Sequence, residues 1–206
     1  MLLILQIVID INAYKSPAVL DKMYIQDLRK NVIEEVDPPC AQRYRVPLLD
    51  IKQAQEGVNL LQNIGTEARA IRSGNIITLH PEVKSERGLE LPAINKSFLG
   101  KKSKYFYAAG TVCDNTFVNS VCKVDLDNGE TQFWRRSEYM YPGEPIFVKN
   151  PDSHEEDDGV VISAVTDVSS EKDFLVFIDA KSWVEVGRAL FKSHVPQALH
   201  GLFIES

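Results

Sequence analysis

From residue 105 onward, apolar and polar side chains alternate in short runs broken by turn residues, the period-two pattern of strands with a buried face. Residues 105–112 and 118–126 predict two strands. Asp127-Asn128-Gly129 predicts a tight turn, and residues 131–135 a third strand. In the second strand Cys122, Val124 and Leu126 share one side while Lys123 and Asp125 share the other, which predicts one wet face. A like unit follows, with strands predicted at 145–148, 159–166, 173–178 and 183–190. The segments Val121-Cys122-Lys123-Val124-Asp125 and Val176-Phe177-Ile178-Asp179 each run into a turn, and their aspartates are 54 residues apart. Consecutive antiparallel meanders at that spacing predict blades of a β-propeller, with a β-sandwich as the competing architecture.

The first half of the chain is less regular. Residues 2–11 predict a short buried strand, and a chain that opens inside such a strand points to further sequence upstream. A signal peptide does not fit. No basic residue precedes the apolar run, Gln6 and Asp10 interrupt it, and no small-residue cleavage site follows. Ser16 and Pro17 predict a helix start. Leu20, Met23, Tyr24, Leu28 and Val32 form a helical stripe that predicts a core-packing helix ended by Asp37-Pro38-Pro39. Residues 43–48 predict a strand, and 60–61, 68–71 and 75–79 shorter ones.

Composition narrows the function classes. The chain has 206 residues, 44% hydrophobic and 25% charged, an ordinary soluble-globular balance. A net charge of −6 argues against a nucleic-acid partner, which would call for a basic surface. Cys40, Cys113 and Cys122 are too few for a disulfide framework and suggest reduced thiols in the cytoplasm, with a Cys113–Cys122 bridge as the alternative. Of the four histidines, His80, His154, His194 and His200, no two have standard metal-ligand spacing. The acidic run His154-Glu155-Glu156-Asp157-Asp158-Gly159 lacks the alternation of a calcium loop and reads as a solvated turn before a buried strand.

An ordered series of short motifs is more specific. It comprises Glu90-Leu91-Pro92 with Ile94-Asn95, Tyr105-Phe106-Tyr107, and Pro142-Gly143-Glu144-Pro145-Ile146-Phe147-Val148. It continues through Pro151-Asp152, Glu155-Glu156-Asp157-Asp158-Gly159-Val160-Val161, Asp179-Ala180-Lys181 and His200-Gly201-Leu202-Phe203. The series resembles the animal carotenoid cleavage oxygenases, a family that includes β-carotene dioxygenases and retinoid isomerohydrolases. The resemblance is clearest over residues 90–203.

It implies a mainly β fold, the C-terminal blades of a seven-bladed β-propeller, with one short N-terminal helix. The family holds Fe2+ on the propeller axis with four histidines backed by carboxylates. By motif match His200 is the fourth metal ligand, and Glu90 and Glu144 are the glutamates behind such ligands. The other three histidines match no ligand motif, which implies that this chain begins after the third ligand and is inactive alone. The implied reaction adds dioxygen across a polyene double bond of a carotenoid, giving retinoid or apocarotenoid aldehydes. Retinoid ester isomerohydrolysis is the alternative on the same fold, and a non-catalytic truncated propeller fragment is a third reading. The implied partners are a carotenoid or retinoid substrate and dioxygen, at a cytoplasmic or membrane-peripheral location.

Overall fold

The structure, a computed structural model, describes residues 5–21, 23–30, 37–85, 88–112, 118–170, 172–196 and 199–204. In chain order these form β1 (Gln6–Ala13), α1 (Ala18–Asp21), α2 (Ile25–Lys30), β2 (Cys40–Pro47), β3 (Arg69–Ser73), β4 (Ile76–His80) and β5 (Glu82–Ser85). There follow β6 (Leu89–Ala93), a 3-10 turn (Lys96–Phe98), β7 (Tyr105–Gly110), β8 (Ser120–Asp125) and β9 (Thr131–Trp134). The last strands are β10 (Met140–Pro142), β11 (Ile146–Lys149), β12 (Gly159–Asp167), β13 (Phe174–Asp179) and β14 (Val184–Leu190).

Two four-deep antiparallel meanders carry the second half. One has the order β6-β7-β8-β9, and the other runs β12-β13-β14 with β10 and β11 sharing the free edge of β12. Their turns correspond. Gly129 N–H bonds Asp125 C=O at 2.7 Å, and Trp183 N–H bonds Asp179 C=O at 2.9 Å. Gly129 and Trp183 also share a left-handed backbone, with φ of 77° and 57°. The 54-residue spacing read from the aspartates is therefore a structural repeat, one blade each, and the sandwich reading falls.

The blades stack face to face. Tyr107, Val121 and Trp134 of the first pack with Val161, Val165, Phe174, Val176, Ile178 and Trp183 of the second. The opposite face of the first blade, with Leu89, Phe106, Ala108, Cys122 and Val124, packs on Ala41 of the β1-β2-β5 sheet. The first blade is thus covered on both sides. For this reason Lys123, expected on a wet face, is only 3% exposed.

The N-terminal expectations need correcting. The first strand forms and pairs with β2 along its length, and Asp10 grips Arg43 through two hydrogen bonds of 2.7 and 2.9 Å. It is not buried. It is the outer strand of its sheet, and Ile7, Val8, Ile9 and Ile11 are 41–49% exposed. The single core-packing helix is instead two short ones, with Leu20, Met23 and Tyr24 exposed. These three stripe positions give a long helix no buried face to hold it, and the side chain of Leu28 lies outside the described residues. Val32 lies outside the described residues, as does Cys113. Residues 60–61 form a turn whose Leu61 packs with Ala68 and Ala70 beneath the β3-β4 hairpin.

Candidate metal-ligand site

Glu144 stands where the edge strand of the second blade breaks. Pro142 pairs with Val165 and Ile146 with Ile162, so Gly143, Glu144 and Pro145 face only Ser163 and Ala164. That is a β-bulge, which turns a side chain off the regular pleat. It is well anchored: Gly143 N–H bonds Ala164 C=O at 2.7 Å, and the buried Ser163 hydroxyl bonds Gly143 C=O at 2.9 Å. Pro145 brings no N–H that would need a partner. Glu90 occupies the like place in β6. It pairs with Ala109, Ala93 pairs with Tyr107, and Leu91-Pro92 bulge between them with Leu91 at φ 53°. The two glutamates, also 54 residues apart, sit at matching bulges of matching strands.

The Glu144 carboxylate reaches the segment that follows β14. Its Oε1 lies 3.1 Å from His200 Nδ1, and its Oε2 accepts the Gly201 N–H at 2.9 Å. With Nδ1 as the donor to this carboxylate, a neutral ring has its lone pair on Nε2, the nitrogen that could face a metal. The His200 side chain is 71% exposed, which leaves that nitrogen accessible. A Cβ on Gly201 would stand 3.0 Å from Ile146 Cδ1, so glycine lets the chain lie close over β11.

Glu90 is not joined to His200 by any hydrogen bond or ion pair among the described residues. It bonds the Tyr14 hydroxyl, whose pKa is raised first by burial and then by this carboxylate. His80 pairs across β3-β4 with Arg69, and His154 lies in a turn. His194 Nδ1 is 3.4 Å from Asp173 Oδ2. No three His, Cys, Asp or Glu side chains gather into a metal-holding group among the described residues.

The acidic run is more than a solvated turn, because it joins the blades. Glu156 accepts the Lys104 and Tyr105 N–H groups at 2.8 Å, and its C=O accepts from buried Asn95 Nδ2 at 2.9 Å. Asp157 receives Lys123 Nζ at 2.7 Å, and the same ammonium donates to Ala180 C=O at 2.7 Å. Glu155, at the outside, pairs with Lys181. Asn95 and Lys123 were therefore missed as framework residues. Asn95 stood out only as part of a motif, and Lys123 only as a lysine between apolar positions.

A family model described as retinal pigment epithelial membrane protein matches residues 5–205. The chain belongs to the carotenoid oxygenase family. The chain is 34% identical over 203 residues to β,β-carotene 15,15'-dioxygenase of Mus musculus, covering 96% of the chain and 35% of that protein. It is 33% identical to the mitochondrial carotenoid-cleaving dioxygenase of Mustela putorius furo, covering 96% of the chain and 39% of that protein. In fold it matches cobalt-substituted apocarotenoid oxygenase of Synechocystis at a TM-score of 0.75 and 21% identity, over 98% of this chain and 37% of that one. The chain thus spans little more than a third of the length of these relatives.

Proposed function

We propose that this chain contributes the C-terminal blades and one imidazole ligand, His200, to a non-haem iron(II) dioxygenase that cleaves a carotenoid polyene. The observation that carries the reading is the Glu144 grip on His200 and Gly201 in a chain of this family. Its chemistry fits the metal: a neutral imidazole suits iron(II), and a carboxylate on the far ring nitrogen fixes tautomer and orientation. His200 would hold the iron through Nε2, with Glu144 behind it. Glu90, at the matching bulge, would serve a further ligand in the same way. Iron, when bound, would supply the activation of dioxygen. Both oxygen atoms then end in the products, as the polyene double bond becomes two carbonyl groups. Leu199, Leu202 and Phe203, all exposed, flank His200 in the chain and offer the apolar surroundings a polyene requires.

The curated relatives named above are dioxygenases, which favours cleavage over retinoid ester isomerohydrolysis. The test is to assay the enzyme carrying this chain against β-carotene and against a retinyl ester, with His200→Ala alongside. The expected result is dioxygen-dependent aldehyde formation from β-carotene, lost with His200→Ala. Isomerisation of the ester without dioxygen uptake would overturn it.

A further inference from the structure

The segment after β14 carries His200, yet its described residues belong to no helix or strand. Two carboxylates hold it to the blade, and they do so alike. Glu144 takes the ring of His200 and the N–H of the next residue, Gly201. Asp173 takes the ring of His194 at 3.4 Å and the N–H of the next residue, Val195, at 2.7 Å. Asp173 also holds the start of the segment, because its backbone C=O accepts Phe191 N–H at 2.9 Å. These are the segment's hydrogen bonds to the body among the described residues. An open hollow of about 470 Å³ runs beside this stretch, lined by its own His194, Val195 and Pro196 and by Tyr141, Thr166 and Val168.

Asp173 itself is buried in the blade. It is 2% exposed, stands at the mouth of β13, and its Oδ1 accepts the Asp167 N–H across the turn from β12. A buried carboxylate with one oxygen turned to its own blade and the other to the segment is a point from which a loop can be hung. Glu144 orients the imidazole, but only over the reach of one side chain. Val195, held by Asp173, precedes His200 by only five residues.

From this we infer that Asp173 is a positioning residue for His200: with His194 and Val195 it forms a clamp that delivers the imidazole to Glu144. The inference rests on the proposed role of His200. Its test needs no metal and no substrate, so the two can fail separately.

The test uses the 206-residue chain with Asp173→Asn and His194→Ala variants, read by amide hydrogen exchange and ring 15N NMR. In Asp173→Asn, exchange at Gly201 is expected to speed up at least tenfold. The His200 ring signal should lose its single Nδ1–H signature, while Ala108 and Val121 amides stay protected. His194→Ala should give a smaller shift in the same direction, about threefold. Unchanged Gly201 exchange and an unchanged His200 signature in a folded Asp173→Asn chain would overturn the inference. If that variant loses protection throughout the second blade, His194→Ala decides, and no change at Gly201 there would overturn it.

Discussion

Glu185 on β14 accepts hydrogen bonds from Trp134 Nε1 at 3.0 Å, from Arg136 and from Arg188. The Arg188 bond is the largest influence on its carboxyl, which is held down to about 2 against the usual 4.5, with burial opposing. A depressed carboxyl contributes stability above its unfolded value, and that contribution is lost as pH falls from 4.5 toward 2. Glu185→Gln should therefore destabilise the chain by roughly 2 kcal/mol at pH 7, allowing for partial exposure, and by much less near pH 2. Urea titrations at the two pH values check this, and an equal loss at both would contradict it. Residues of this kind were hard to read in advance. Glu185 looks like any strand glutamate, whereas His200 and Glu144 stood out as members of specific motifs, and the structure brings those two within hydrogen-bond distance.

At the scale of elements, the alternation in residues 105–190 reported strands and turns well because each strand's own side chains encode its period. The Asp127-Asn128-Gly129 turn held its expected place, and its glycine is required twice over. It has φ 77°, and a Cβ there would stand 2.7 Å from the Lys84 carbonyl oxygen on β5. Gly129→Ala should cost about 3 kcal/mol, from left-handed strain plus the clash with backbone. Gly74, with φ 60° and open space around its Cβ site, supplies the control. Gly74→Ala should cost only about 1 kcal/mol. Equal losses in thermal melts would show that the contact with β5 is not made. The N-terminal helix was misread for an opposite reason. Its stripe is real in the sequence, but a stripe predicts burial only where another element lies against it, and Leu20 is 64% exposed.

Across the whole molecule, what local pattern could not show is which strand faces are covered by a neighbouring sheet. Lys123 is the case in point. Its position alternates as an outward one should, yet the second blade closes over it and supplies Asp157 and the Ala180 carbonyl. Tyr107, stacked between Phe147 and Trp183 at centroid distances of 5.2 and 5.9 Å, ties the same seam. Lys123→Ala leaves a mostly buried carboxylate unpaired and should cost roughly 4 kcal/mol. Adding Asp157→Ala should cost less than the two single changes summed, and strict additivity in the double-mutant cycle would argue against the pair as the tie. The same seam brings the second blade's bulge, and so Glu144, into a fixed relation with the first.

The role of His200 is tested most directly by adding ferrous iron anaerobically to the 206-residue chain and following all histidine ring signals by NMR. The expected result is that His200 broadens first and only weakly, as a single imidazole held by Glu144 should, and that Glu144→Gln weakens the effect further. Broadening led by His80, His154 or His194 while His200 stays sharp would contradict the assignment, and so would tight one-to-one saturation.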